Sequence, residues 1–230
     1  MRNSVKDSRQ YAPATERNKH VILQVLQQVL PDSGTVLEIA SGTGEHSIFF
    51  APHLAPRCWI PSDPNPLARA SINAWQQCYP CEGLCKAIAL DVCEDCWPIE
   101  NVRNQEQLLE QLQEIDHAID IDLEEHPIRA IVNINMIHIS PWSACRGLMA
   151  GAGRILPPEG ILYLYGPFKE NGEHTAPSNA AFDESLRSQN PDWGIRDLDE
   201  VIAEAEKNAL RHHATLHMPA NNLSVVFQKD

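Results

Sequence analysis

The feature that most constrains the fold is the stretch from Thr35 to His46, a short apolar run that ends in a glycine-rich turn. A strand that enters such a turn and then a helix is how an α/β protein presents backbone N–H groups to a ligand. Gly42 and Gly44 permit positive φ angles and leave room for a ligand to approach the backbone. Glu38 stands where the strand is expected to end, so its carboxylate is predicted to point into the same crevice.

The residues of this turn match neither of the two common phosphate-binding motifs. Ser47 replaces the third glycine of a dinucleotide fingerprint, and no lysine follows the turn as it does in a phosphate-binding loop. An acidic residue here would repel a pyrophosphate but could pair with a cationic amino-acid group. The turn therefore favours S-adenosylmethionine over NAD or ATP, and a tight turn that binds no ligand is the alternative.

The acidic balance of the chain bears on its partners. Its 230 residues suit one α/β domain covering 1–230, and a net charge of −13 without a basic stripe disfavours a nucleic-acid substrate. We therefore expect the substrate to be a small molecule and not a nucleic acid. Because no apolar run could span a bilayer and the N-terminus lacks a signal-peptide core, we expect a cytoplasmic protein with no membrane partner.

The chain has seven cysteines, an odd count that argues against a disulfide framework. Four of them form two pairs at metal-ligand spacing, Cys78 with Cys81 and Cys93 with Cys96. The segment between the pairs, 87–91, is predicted to be a core strand rather than a zinc knuckle. Reduced thiols are the favoured interpretation, and no metal ligand is predicted; a zinc site is the alternative.

Hydrophobic patterning predicts seven strands separated mostly by helices. After the strand before the glycine turn, the remaining strands are predicted at 58–62, 87–90, 128–135, 160–165, 215–218 and 223–228. The segment 97–125 is predicted to be an acidic crossover helix, and the long polar loop 166–180 is predicted to be a lid or binding loop. The first 14 residues are predicted to be an extended lead-in to a helix that starts at Thr15.

Polar residues follow the second, third and fourth predicted strands, where ligands bind in open α/β sheets. Asp63, about twenty residues after the glycine turn, can accept both hydroxyls of a ribose or can cap the turn that starts at Pro64. Asp91 stands where an adenine amine could be held, with Val92 against the ring.

After the fourth strand, Asn135 and His138 are predicted to face the crevice. His138 could serve as a base near neutral pH, and a histidine that merely hydrogen-bonds within its loop is the alternative.

The pattern Glu38-x-Ala40-x-Gly42-x-Gly44 is similar to the first motif of class I S-adenosylmethionine-dependent methyltransferases, with Ala40 in place of its first glycine. Asn135-Met136-Ile137-His138 is similar to the Asn-x-Leu-His that follows the fourth strand in many small-molecule methyltransferases. The resemblance implies a three-layer, doubly wound, mostly parallel seven-stranded sheet with an antiparallel C-terminal strand.

A closer resemblance is to the uncharacterised methyltransferase-like family DUF938 (UPF0585). It runs over essentially the whole chain, in the blocks 9–19, 37–45, 61–66, 135–142, 165–174 and 185–199. The cysteine-rich patch 78–96 departs from the family pattern. The family name describes a fold and an expected cofactor, not a known substrate.

These resemblances imply a site for S-adenosylmethionine, with S-adenosylhomocysteine as the product. Glu38 would hold the methionine amino group, Asp63 the ribose and Asp91 the adenine. Residues 1–30 would cover the crevice and bring Arg17 and Asn18 to the methionine carboxylate. The alternative is that these two are ordinary polar residues in the first turn of a helix and face solvent. The implied cofactor-binding residues are Arg17, Asn18, Glu38, Ala40, Gly42, Thr43, Gly44, Asp63, Pro64, Asp91, Val92 and Asn135.

The function expected from this sequence is methyl transfer from S-adenosylmethionine to a small molecule. If the acceptor must lose a proton, His138 is the first candidate base, followed by Tyr11 and His174. A non-catalytic protein that binds the cofactor for sensing or scaffolding is the alternative.

Overall fold

The structure, a computed structural model, describes residues 7–103 and 121–230. Its helices are α1 Pro13–Val29, α2 Glu45–His53, α3 Pro66–Cys78, α4 Trp142–Ile155, α5 Pro177–Gln189 and α6 Leu198–Glu206. Its strands are β1 Thr35–Ile39, β2 Cys58–Ser62, β3 Ile128–Ile134, β4 Ile161–Gly166, β5 Phe168–Glu170, β6 Glu173–His174, β7 Arg196–Asp197, β8 Leu210–Met218 and β9 Asn222–Lys229.

The central sheet of the described residues has six strands in the order β2-β1-β3-β4-β9-β8. The β1–β2, β1–β3 and β3–β4 pairs are parallel, and β9 pairs antiparallel with both β4 and β8. This arrangement confirms the predicted α/β fold with a mostly parallel sheet and antiparallel C-terminal strands. Because β1, β3 and β4 lie inside the sheet, almost all of their residues are buried.

Alternate residues of the strands face opposite layers, as the pleat requires. Val36, on β1, packs in a hydrophobic cluster with residues of α1 and α2. Its neighbour Leu37 packs in a second cluster with residues of α4 and α6. The sheet therefore lies between two helical layers, the predicted three-layer arrangement.

The predicted strand 87–90 is not a regular strand. The chain runs beside β2 but forms only two isolated parallel bridges, Trp59 with Leu84 and Ser62 with Ile88. Pro61 has no N–H to donate, so the ladder is interrupted at the middle of β2. The register also slips by one residue between the two bridges, which leaves six strands in the described sheet where seven were predicted.

The predicted loop 166–180 also has regular structure. It contains the β5–β6 hairpin and the start of α5, and β7 pairs in parallel with β5 to complete a separate three-stranded sheet. Most of the predicted crossover helix 97–125 lies outside the described residues, and its described beginning, Pro98–Arg103, is a 3-10 turn. In the part of the chain that the structure describes, no helix is both long and apolar enough to cross a membrane.

Candidate functional site

The turn after β1 adopts the left-handed backbone conformation at three alternate residues. The φ angles are +56° at Ala40, +56° at Gly42 and +89° at Gly44. A Cβ on Gly44 would lie 2.8 Å from the Cα of Ile72, so this glycine lets α3 pack against the turn. A Cβ on Gly42 would meet nothing within 4 Å, so the backbone there borders open space that a ligand can enter.

The Asp63 carboxylate, at the end of β2, is joined directly to this turn. Its Oδ2 accepts a hydrogen bond from the Gly42 N–H at 3.0 Å, and its Oδ1 accepts one from the Asn65 N–H at 2.9 Å. Burial raises the pKa of this carboxyl, while the hydrogen bonds from Asn65 and Gly42 act in the opposite direction. Each carboxylate oxygen has a second lone pair, so Asp63 can shape the turn and still accept hydrogen bonds from a ligand.

Glu38 lies differently from the prediction that its carboxylate points into the crevice. The side chain is only 1% exposed, and its Oε2 accepts hydrogen bonds from the Ser47 hydroxyl and, at 2.9 Å, from the Trp59 indole. Burial raises the pKa of Glu38 to about 7. The residue thus ties β1 to α2 and β2 behind the turn, and its geometry is that of a support for the turn.

Of the two residues predicted to contact the adenine, Asp91 lies at the surface and Val92 does not. The Asp91 side chain is exposed, its Oδ1 accepts the Cys93 N–H at 2.9 Å, and the carboxylate also lies beside the Cys93 thiol. Val92 is instead buried in the core cluster on the α4 side, so its side chain does not form the expected exposed wall for an adenine ring.

The first turns of α1 reach the same end of the sheet. Asn18 is buried, its Oδ1 lies 2.8 Å from the His46 Nε2, and its side chain also lies beside the Tyr165 hydroxyl. Burial, reinforced by the charge of Lys19, lowers the pKa of His46 to about 3, so this imidazole is neutral and can donate to Asn18. Arg17 is exposed, and among the described residues its guanidinium has no carboxylate partner.

At the end of β3, Asn135 and His138 both lie close to Gly166. Asn135 has a φ of +59°, and its N–H donates to the Tyr165 carbonyl at 2.8 Å. A Cβ on Gly166 would lie 3.2 Å from the His138 Nδ1 and 3.5 Å from the Asn135 Oδ1. Glycine at this position therefore leaves room beside both polar atoms.

The His138 imidazole is buried and neutral. It is 3% exposed, and its Nδ1 has no hydrogen-bond partner among the described residues. Burial, helped by the charge of Arg196, lowers the pKa of His138 to about 4. A neutral ring with an unpaired nitrogen can accept a proton or a hydrogen bond, although a lowered pKa makes it a weaker base than an ordinary histidine.

Tyr11 and His174, the other two candidate bases, are held by different neighbours. Tyr11 is 64% exposed and its ring lies edge-on to Trp75, with the ring centroids 5.0 Å apart. The His174 Nε2 lies 3.4 Å from the Asp183 Oδ2. In the described residues, no hydrogen bond or ring contact joins either side chain to His138.

Two residues that the sequence analysis missed also define the surroundings of His138. The Phe182 ring contacts the imidazole edge-on at a centroid distance of 5.8 Å. Arg196 donates to the carbonyls of Ile137 at 3.1 Å and Ser140 at 2.7 Å, and so fixes the loop that carries His138. Both come from far along the chain, and no local sequence signal marks them.

The cysteine pairs do not come together as a metal site in the described residues. No group of three or more His, Cys, Asp or Glu side chains in the described ranges could hold a metal ion. All seven cysteines lie in the described ranges, and none of them forms a disulfide there.

The sheet order and the turn with its partnering carboxylate define the fold of class I S-adenosylmethionine-dependent methyltransferases. Similar solved structures include an O-methyltransferase family protein from Burkholderia thailandensis, with a TM-score of 0.69 and 12% identity over 94% of this chain and 57% of that chain. Human N-acetylserotonin methyltransferase in complex with S-adenosylmethionine has a TM-score of 0.67 and 11% identity over 94% of this chain and 52% of that chain.

An O-methyltransferase family 2 protein from Planctomyces limnophilus, in complex with apigenin, has a TM-score of 0.66 and 17% identity over 94% of this chain and 62% of that chain. This chain therefore spans only about half to three fifths of the length of these proteins, and at such identities the likeness concerns the fold. The chain itself belongs to the family described as "Protein of unknown function (DUF938)", whose model matches residues 9–229.

Proposed function

We propose that this protein is an S-adenosylmethionine-dependent methyltransferase that acts on a small molecule. The observation that carries the proposal is the open backbone face of Gly42 beside the Asp63 carboxylate, at the carboxyl ends of β1 and β2. This is where ligands bind in an open α/β sheet. When bound, S-adenosylmethionine supplies an electrophilic methyl group on a sulfonium, and neutral S-adenosylhomocysteine is the leaving group.

The residues around the turn fit such a ligand. The free lone pairs of Asp63 match the vicinal hydroxyl donors of a ribose, and Gly42 lets the ligand approach the backbone. The exposed Asp91 carboxylate can accept a hydrogen bond from the exocyclic amine of the adenine. The exposed Arg17 guanidinium can pair with the carboxylate of the methionine moiety. Glu38 supports the turn from behind, because its carboxyl is already hydrogen-bonded inside the protein.

On the acceptor side, His138 is the proposed base. Its buried, neutral imidazole would take the proton that an acceptor hydroxyl loses as its oxygen is methylated, because the oxonium then formed is a stronger acid than an imidazolium whose pKa is lowered to about 4, and would later release that proton to water. Alignment of the acceptor and exclusion of water by the buried loop would supply the rest of the rate enhancement. Tyr11 and His174 are weaker candidates, since their described contacts lie elsewhere.

The similar structures support this proposal at the level of the fold, since one of them holds S-adenosylmethionine and another holds apigenin, a small aromatic molecule. A cytoplasmic location is part of the proposal, since the seven cysteines form no disulfide in the described residues and reduced cysteines are typical of a reducing compartment.

The proposal is tested by calorimetric titration of S-adenosylmethionine and S-adenosylhomocysteine into the wild type and into Asp63→Ala. We expect the variant to bind at least about tenfold more weakly, because a hydrogen bond to a charged group contributes about 1.5–3 kcal/mol. Asp197→Ala is the matched control, since that carboxylate also accepts two backbone N–H groups, those of Gly172 and Asp199, but lies on β7.

Failure of the folded wild type to bind either ligand would refute the proposal. Binding without formation of S-adenosylhomocysteine, across a broad screen of metabolites, would instead favour a non-catalytic cofactor-binding protein.

A further inference from the structure

The segment 168–197, which we call the cover, contains β5, β6, α5 and β7 and is organised around one buried carboxylate. The Asp183 side chain is 8% exposed. Its Oδ1 accepts the Ile195 N–H at 2.6 Å, and its Oδ2 lies 3.4 Å from the Lys169 Nζ. The same Oδ2 lies 3.4 Å from the His174 Nε2 and 3.2 Å from the Arg187 Nε.

These contacts join every part of the cover to one point. Lys169 lies on β5, His174 on β6 and Arg187 on α5, while Ile195 directly precedes β7. Although burial acts to raise the pKa of Asp183, its hydrogen bonds from Ile195 and Arg187 and the nearby positive charges lower it overall. The carboxylate is therefore charged at neutral pH, and breaking such a buried, multiply bonded ion pair is strongly disruptive.

Asp183 is also flanked by the two cover residues that contact His138. Phe182, its neighbour on α5, supplies the ring that lies against the imidazole. Gly194, which precedes the Ile195 N–H, donates its own N–H to the His138 carbonyl at 3.0 Å. A Cβ on Gly194 would lie 2.7 Å from the Asp183 Oδ1, so the carboxylate and this backbone are closely packed.

We propose that Asp183 is a positioning residue for the acceptor side of the site. By holding α5 and the loop before β7 together, it keeps Phe182 against the His138 ring and Gly194 on the His138 carbonyl. Asp183 thus fixes the position of the His138 imidazole and keeps water away from it, although it does not contact the ring. The inference rests on the proposed function in one respect, the role of His138 as the base.

The test is histidine NMR on the full chain, with the His138 signal assigned by its loss in His138→Gln. Asp183→Asn keeps the size of the side chain but removes its charge. A loosened cover should let water reach His138 and raise the pKa of His138 from about 4 by about one unit or more, since desolvation is the main cause of its depression. Asp197→Asn is the control within the cover and should leave the His138 titration unchanged.

A folded Asp183→Asn protein whose His138 titrates as in the wild type would overturn the inference, as would an equal change in the Asp197→Asn control. If Asp183→Asn does not fold, Arg187→Gln removes one contact of the same carboxylate from a half-exposed side chain and should shift His138 in the same direction by less.

Calorimetry with S-adenosylhomocysteine separates the two proposals. Asp183→Asn should bind it as the wild type does, because the contacts of Asp183 among the described residues all lie within the cover. A wild type that fails to bind would refute the proposed function and leave the NMR result standing.

Discussion

The part of the crevice proposed to hold the cofactor, here the cofactor half, is built mainly from backbone, whereas the part proposed to hold the acceptor, the acceptor half, is built from buried side chains. In the first, a left-handed turn and the Asp63 carboxylate form a rim with open space beside Gly42. In the second, His138 is enclosed by Phe182 and Arg196 from the distant cover. The difference indicates that substitutions in the first half should alter cofactor affinity, while those in the second should alter chemistry at constant affinity.

The largest expected effect follows from removing the proposed base. His138→Gln should lower kcat/KM by about 10²- to 10⁴-fold for an acceptor that must lose a proton, as general-base catalysis contributes. Its affinity for S-adenosylhomocysteine should not change, because His138 lies outside the cofactor half. Initial rates with an acceptor found by screening, together with calorimetry, measure both quantities.

His212→Gln is the control for this variant, since that half-buried imidazole, 2.8 Å from the Thr215 hydroxyl, lies on the edge strand β8. Equal losses of rate and of affinity in His138→Gln would contradict the division of the crevice into two halves.

A second prediction contrasts the two glycines of the turn. Gly44→Ala should lower the free energy of unfolding by about 3–4 kcal/mol, because overpacking against the Ile72 backbone adds to the strain of a positive φ. Gly42→Ala should cost only the strain less the smaller unfolded-state entropy of alanine, about 0.5–1 kcal/mol, because its Cβ would enter open space. Urea unfolding measures both differences.

The two glycine variants should rank in the opposite order for ligand affinity, with the larger loss in Gly42→Ala. The new methyl group of Gly42→Ala stands where the ligand approaches the backbone, so binding of S-adenosylhomocysteine should weaken by about tenfold or more, about 1.4 kcal/mol. If Gly42→Ala bound the ligand like the wild type, the open face of Gly42 would not be the cofactor site.

The two halves also differ in how far they could be predicted from the sequence. The turn and Asp63 follow local rules, so the glycine-rich turn after the first strand, the carboxylate at the end of the second and most of the sheet were predicted correctly. The strand predicted at 87–90 was wrong because its apolar pattern says nothing of the partner strand, where Pro61 interrupts the ladder. Val36 and Glu38 share one face of β1, a period-2 relation that could have predicted that Glu38 faces α2.

The acceptor half was only partly predictable. His138 was found because it follows a buried strand, but Phe182 and Arg196 reach it from 44 and 58 residues away along the chain. The very short strands β5, β6 and β7 carry too little periodicity to be recognised, and Asp183 unites them through contacts that exist only in the folded chain.

The third prediction concerns the buried carboxyl behind the turn. The pKa of Glu38 is raised from 4.5 to about 7. Between these two pH values the carboxyl keeps its proton in the folded protein but has released it in the unfolded chain. Stability from this group is therefore lost as the pH rises through that window, by about 3 kcal/mol in total. Glu38→Gln keeps an acceptor for Trp59 and Ser47 but cannot ionise.

Urea unfolding of the wild type and Glu38→Gln across this pH range measures the effect. The stability of the variant relative to the wild type should rise by about 3 kcal/mol between pH 4.5 and pH 7.5. The depressed pKa values of His46 and His138 act in the opposite direction, but they are common to both proteins and cancel in the difference. Parallel stability profiles would show that Glu38 ionises normally.

The smallest expected effect compares one left-handed residue from each half. Ala40 has a φ of +56° and Asn135 a φ of +59°. Alanine has no side-chain group to compensate for this conformation, which costs about 1–2 kcal/mol, whereas asparagine tolerates it. After the larger unfolded-state entropy of glycine is subtracted, Ala40→Gly should stabilise the protein by about 0.5–1 kcal/mol, and Asn135→Gly should not. A loss of stability in Ala40→Gly, measured by urea unfolding, would mean that the alanine methyl makes packing contacts worth more than the strain it incurs.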